Sequence, residues 1–177
     1  MKMKKTIFYL TLAMAITLVG TLYSCDTASN NDKPESQMVD SVANNIKMYS
    51  HVWDEIINKG KLDLFNDNNF TKNVVMRASP TDVVGIDSAR AYYANYVTGF
   101  SNVKFDIKDV FGMGNKLVKH WNFKGTHTGT FFGIKPTGKQ VDLDGVTLVR
   151  MENGKIAEER DFFDNLEFMQ QLGLIPR

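Results

Sequence analysis

The stretch from Gly125 to Gly173 constrains the fold of this chain more than any other, because glycine, proline and a helix cap punctuate it so closely that few geometries satisfy it. It opens with GTHTGTFFGIKPTG, Gly125 to Gly138, which reads as a strand ending in small residues followed by a turn region. Lys139–Met151 and Lys155–Phe163 then read as two strands of a hairpin. The intervening Glu152-Asn153-Gly154 fits a three-residue loop with Gly154 in the left-handed position of a bulge. Asp164 and Glu167 form a D-x-x-E start for a final helix that Gly173 closes. Gly125, Gly129, Gly133 and Gly138 do not make a phosphate loop, because no GK[ST] follows and no helix begins there.

Upstream, the hydrophobic period changes once. Val42, Ile46, Tyr49, Trp53 and Ile56 share one stripe of a helix predicted over Ser41–Asn58, ended by Gly60. A strand is predicted over Thr71–Arg77, and a second, aromatic-rich helix from Asp87 carries Tyr92, Tyr93, Tyr96 and Phe100. After it the period is two. Val103, Phe105, Ile107 and Phe111 alternate with Lys104, Asp106 and Lys108, and Leu117, Trp121 and Phe123 alternate with His120, Asn122 and Lys124. Helices followed by four strands give an α+β domain, a curved antiparallel sheet folded around the helices and enclosing a cavity.

Strand parity also picks out a candidate site. With a three-residue loop, Met151 pairs with Lys155, which sets Thr147 opposite Glu159 and Gly145 opposite Asp161; a two-residue turn shifts that register. Glu159 and Asp161, two apart, share a mainly apolar face with Thr147, Val149, Ala157 and Phe163. Two carboxylates in such surroundings repel and are poorly solvated, so at least one should have a raised pKa, as a base acting on a carbon acid near neutral pH requires. Gly145 opposite leaves room for a substrate. The competing reading of Asp161 is a strand-end carboxylate held by Arg160 or by backbone, and Asp164 is explained by its capping role. Among the aromatics, Trp53, Tyr96 and Trp121 stand as core or as cavity lining for a small hydrophobic ligand, and core is expected for the others. His51 and His120 fall on solvated faces. No histidine pairs with another at metal-ligand spacing, so no zinc or iron site is expected.

The N-terminus looks like a targeting segment. Lys2, Lys4 and Lys5 precede an uncharged, mostly apolar stretch from Thr6 to Tyr23. Leu22-Tyr23-Ser24-Cys25 resembles a bacterial lipobox, with Cys25, the only cysteine, as the lipidated residue. The alternative is an uncleaved membrane anchor. Both place the body outside the cytoplasm at the cell envelope and exclude a disulfide or a catalytic thiol. The expected organisation is a signal peptide over 1–24, a Ser/Asn/Asp-rich tether over 25–40 and one domain over 41–177. With three of its 21 basic residues in the signal, the remaining chain is slightly acidic, which gives no electrostatic case for nucleic acid.

HVWDEIINKGKLDLFNDNNF, His51–Phe70, together with Gly125–Gly138 and GKIAEERDFFDNLEFMQQLG, Gly154–Gly173, resembles the SnoaL-like ester cyclase (polyketide cyclase) family over about Asn44–Ile175. The resemblance implies the cone-shaped NTF2-like barrel. It also implies that Asp161 is the acid/base aspartate on the last strand, that His127 matches a family position, in substrate contact or in turn and rim packing, and that no cofactor takes part. In such cyclases the aspartate abstracts a proton beside carbonyls and drives an aldol ring closure. Here Glu159 and Arg160 stand where the family's segment carries His and Trp. The expectation is a lyase, isomerase or cyclase acting on a small hydrophobic carbonyl compound, or a module that binds such a compound without turnover. A homodimer through the outer sheet face, wet with His120, Asn122 and Lys124, is a further expectation.

Overall fold

A computed structural model describes residues 35–176. The signal segment, Cys25 and most of the tether lie outside them. The first helix, α1 (Glu35–Lys59), begins before the predicted Ser41, because helical backbone extends past its apolar stripe wherever no breaker intervenes. Tyr49, Val52, Trp53 and Ile56 bury that stripe, and Gly60, at φ 67°, turns the chain away. Strands β1 (Phe70–Met76) and β2 (Val83–Val84) follow, then helix α2 (Ile86–Gly99). The long strands are β3 (Phe100–Met113), β4 (Lys116–His127), β5 (Gln140–Glu152) and β6 (Lys155–Phe163), and helix α3 (Asn165–Gln171) closes the chain. Asp164 caps α3 as expected, its side chain accepting from Glu167 N at 2.9 Å.

One six-stranded sheet has the order β2-β1-β6-β5-β4-β3. The four C-terminal strands form the predicted antiparallel run. β1 adds to the far edge of β6 in parallel, and the unpredicted β2 pairs with β1. Two register shifts in β3, one of them between Ile107 and Asp109, bend the sheet toward the helices. The second shift also reverses strand parity. Val110 therefore turns inward, and Phe111, expected on the half-buried face, is 57% exposed.

The β5–β6 turn corrects the predicted register. Glu152 pairs with Lys155, and Asn153 (φ 50°) and Gly154 (φ 76°) form a two-residue turn with both residues left-handed. The turn alone would set Thr147 opposite Arg160, but a bulge between Arg150 and Met151 shifts the register once more, so Thr147 is opposite Asp161, Val149 opposite Glu159, and Gly145 opposite Phe163. The space above Gly145 is taken: a Cβ there would lie 2.2 Å from Trp121 Cζ2, so the missing side chain seats the indole and not a substrate.

The outer face is more apolar than expected. Val146, Leu148 and Phe162 are exposed on it beside His120, while Asn122 is buried by its hydrogen bonds to Asp142 and Leu143. Among the described residues, no helix is long and apolar enough to cross a membrane.

Candidate functional site

Strand pairing decides which part of β6 is open. β1 ends at Met76, level with Glu159, so Glu159 has a strand on both sides. Asp161, two residues on, is flanked by β5 alone. Past the end of β1 the chain runs through Arg77, Ala78 and Ser79 along a polar outer cleft of about 620 Å³, which Asp82, Arg160 and Asn165 also line. Behind it lies a small apolar hollow of about 50 Å³ between α1, α2 and the inner sheet face, whose walls include Trp53, Phe105, Trp121 and Phe163. The expected internal cavity is therefore mostly filled by aromatic side chains. Asp161, Tyr93, Tyr96 and Phe163 line both spaces and form the boundary between them.

Asp161 is half-buried and held by neutral donors. Thr147 Oγ1 donates to Oδ1 in a short hydrogen bond, and Tyr93 OH donates to Oδ2 at 3.1 Å. Thr147 in turn accepts from Trp121 Nε1 at 2.9 Å, so the indole fixes the hydroxyl and the hydroxyl fixes the carboxylate. No cation pairs with Asp161 among the described residues. Arg160 points to the other face of the sheet, its guanidinium 5.1 Å from the Phe162 ring centre. With one donor on each oxygen, lone pairs remain to accept a proton.

Glu159 is 1% exposed and belongs to the interior. Its Oε1 accepts from Tyr49 OH, in a short hydrogen bond, and from Trp53 Nε1 at 3.0 Å. Oε2 is buried with no hydrogen-bond partner. Burial pushes this carboxyl up to about 7, against the pull of nearby Lys119, with the charge of Asp161 adding to the rise. Burial likewise raises Tyr49, Tyr93 and Tyr96 well above the usual phenol value, so all three are neutral donors at physiological pH.

Lys119 was not anticipated. It is 3% exposed and lines the hollow, with Nζ 4.6 Å from the Trp53 ring centre and 5.2 Å from those of Tyr49 and Phe105. Burial lowers its pKa, and Glu159 and Asp161 oppose the shift. Its signal was present in the alternation: Leu117, Lys119, Trp121 and Phe123 have the same parity, so a lysine stood on the inward face of an otherwise apolar strand.

Among the residues expected to touch substrate, Trp53, Tyr96 and Trp121 line the hollow. Thr147 is fully buried and positions Asp161 instead. His127 is a correction. It is fully buried beside Phe100 and Phe131, Thr137 meets its Nδ1 at 3.1 Å, and it lines neither the hollow nor the cleft. The β3–β4 pairing buries this end of β4 under the Gly125–Gly138 segment, which closes over it. Among the described residues, no group of three or more His, Cys, Asp or Glu is placed to hold a metal ion.

The family model for SnoaL-like polyketide cyclases matches residues 46–172, from α1 through the end of α3. The chain belongs to the SnoaL-like polyketide cyclase family. Solved structures agree on its fold. A candidate SnoaL-like polyketide cyclase from Jannaschia sp. CCS1 superposes with a TM-score of 0.67 at 24% identity, covering 82% of this chain and 99% of that one. TsrD from Streptomyces laurentii gives 0.66 at 20% identity, covering 74% and 96%. AclR, a candidate hydroxylase from Streptomyces galilaeus, gives 0.63 at 18% identity, covering 76% and 99%. No curated protein matches the chain. This SnoaL-like chain therefore has the NTF2-like cone of its family, a fold suited to holding a small molecule, and its chemistry has to be argued from its own residues.

Proposed function

We propose that this SnoaL-like protein is a cofactor-independent lyase, isomerase or cyclase in which Asp161 is the general base, removing a proton from carbon next to the carbonyl of a small hydrophobic compound. One observation carries the reading: Asp161 stands where the outer cleft meets the apolar hollow, held by Thr147 and Tyr93 and neutralised by no arginine or lysine bonded to it. A structural carboxylate gains most from a cationic partner. One oriented by neutral hydroxyls at the mouth of a hollow has oxygen lone pairs left for a ligand. The substrate's apolar end fits among Trp53, Trp121 and Phe163, and its size is limited by the 50 Å³ beyond the boundary residues.

The test is carbon–deuterium exchange of methyl acetoacetate in D2O, followed by proton NMR, for the wild type and Asp161→Asn. A positioned base accelerates such a step roughly 10²–10⁴-fold, and the variant should lose that acceleration. Equal rates for the two proteins remove Asp161 from the mechanism and leave a binding module with the same pocket.

Two further parts of the proposal concern setting. The basic start, the apolar stretch Thr6–Tyr23 and Leu22-Tyr23-Ser24-Cys25 support lipid attachment at Cys25 and tethering at a bacterial envelope; metabolic labelling with a fatty acid, retained in Cys25→Ala, overturns it. The exposed Val146, Leu148 and Phe162 support a homodimer through the outer sheet face. Sedimentation of an unchanged monomer at high concentration refutes that.

A further inference from the structure

Lys119 is the one charged group at the hollow to which the proton abstraction above gives no task. Three aromatic rings surround its Nζ, those of Trp53, Tyr49 and Phe105. Rings at such distances favour an ammonium over a neutral amine, because the charge is attracted to their π faces. They accept no ordinary hydrogen bond. An ammonium has three N–H donors, and Nζ makes no hydrogen bond or ion pair among the described residues; Glu159 spends Oε1 on Tyr49 and Trp53, and its Oε2, itself without a hydrogen-bond partner, acts on Lys119 through charge and not through a bond. The side chain is 3% exposed and lines the same hollow as Asp161. A buried charged donor set without an acceptor, facing a hollow, is a site for an oxygen atom that arrives with a ligand.

Resting on the reading of Asp161 as base, we propose that Lys119 is an oxyanion site that receives the enolate oxygen of a small 1,3-dicarbonyl compound. Asp161 takes the proton from the carbon between the two carbonyls, so a C–H bond breaks and an O–H bond forms on the carboxylate. The electron pair moves into the carbon skeleton and onto one carbonyl oxygen. That oxygen accepts a hydrogen bond from Lys119, which keeps its proton. The net charge of the buried set is the same before and after, because the negative charge only moves from Asp161 to the ligand oxygen. The move brings it against the unpaired ammonium. The interaction is therefore stronger after proton abstraction than before it, as catalysis requires. A 1,3-dicarbonyl is the class that fits best where the hollow offers a single oxyanion donor, because its second carbonyl shares the enolate charge and makes the central C–H more acidic than one beside an isolated ketone.

The probe is acetylacetone, titrated into the purified protein while its near-ultraviolet enolate band is followed. Asp161→Asn removes one of the two carboxylates whose charge acts on Lys119, leaving Glu159, and needs no base to bind a preformed enolate. It should hold acetylacetone as the enolate at a pH where the free compound is neutral. Removing a hydrogen bond to a charged group costs roughly tenfold to a hundredfold, so Asp161→Asn/Lys119→Met should bind the enolate that much more weakly. Methionine suits the aromatic surroundings and removes a buried charge, and Lys119→Gln provides a second variant; melting curves verify folding of both. The proposal is overturned if the Asp161→Asn protein shows no enolate band, or if the band is as strong without Lys119. It is also overturned if mass spectrometry finds a covalent enaminone on Lys119, which marks a neutral nucleophilic amine. Failure of the base reading shows in exchange by Asp161→Asn with methyl acetoacetate, a separate measurement.

Discussion

Replacing Glu159 by Gln should raise stability relative to the wild type progressively as pH rises from mild acid to above neutral. Glu159 is buried against Tyr49, Trp53, Lys119 and Asp161, and its carboxyl titrates at about 7 in the fold against 4.5 for an unperturbed side chain. The native state therefore binds a proton that the unfolded chain has already released between those two values, so stability falls as pH rises through that window and levels off above about 7. At 1.36 kcal/mol per pH unit, the gap is worth on the order of 3 kcal/mol at pH 8 relative to pH 4.5. Glutamine keeps an oxygen for Tyr49 and Trp53 and places an uncharged amide where Oε2 has no partner. The difference in unfolding free energy between Glu159→Gln and wild type should thus rise by about 3 kcal/mol between pH 4.5 and pH 8, whatever the constant cost of burying the amide, which is about 10 °C in melting temperature for a domain of this size. Taking a difference cancels other groups such as His127, whose pKa burial lowers. Urea denaturation across that pH range measures it. A difference that stays flat with pH refutes the claim that Glu159 is desolvated in the fold.

The Thr147 relay should matter both structurally and chemically. Thr147→Val leaves Trp121 Nε1 and one oxygen of Asp161 without their partner, and should cost about 1–3 kcal/mol by denaturant unfolding while slowing exchange of methyl acetoacetate; unchanged stability and rate contradict it. Gly145→Ala drives a methyl group into the Trp121 ring and should cost about 1–3 kcal/mol with an altered tryptophan emission spectrum. An unaltered spectrum and melting temperature show that the indole does not rest on Gly145.

Much of this site could be read in the chain because it is written in strand parity. Glu159 and Asp161 face inward as alternation requires, and Asp164 caps α3 as its spacing with Glu167 requires. The partner of Asp161 differs from the expected one for two reasons: Asn153-Gly154 forms a two-residue left-handed turn where Glu152-Asn153-Gly154 also supports a longer loop, and a bulge beside Met151 adds a second one-residue shift with no local signal. Parity alone separated neither the tasks nor the environments of the two carboxylates. That separation comes from β1, which pairs in parallel with β6 and stops at Met76, a long-range event with no local signature. Lys119 is legible as a lone cation at an inward position of β4, but alternation alone does not tell a buried lysine from one that snorkels to the surface. The reversal at Phe111 depends on a bulge that the regular alternation of Val103–Ile107 gives no warning of.

The acceptor that Tyr49 and Trp53 share comes 110 and 106 positions after them. During synthesis at roughly 5–20 residues per second, the greasy side of the first helix must wait on the order of ten seconds before its partner leaves the ribosome. Until then the newborn polypeptide offers chaperones two unsatisfied aromatic donors, and a product terminated early, ahead of the final hairpin, has nothing with which to cover them. Assembly is accordingly gated by the last part of the message to be translated, and the pocket is completed in the same closing step.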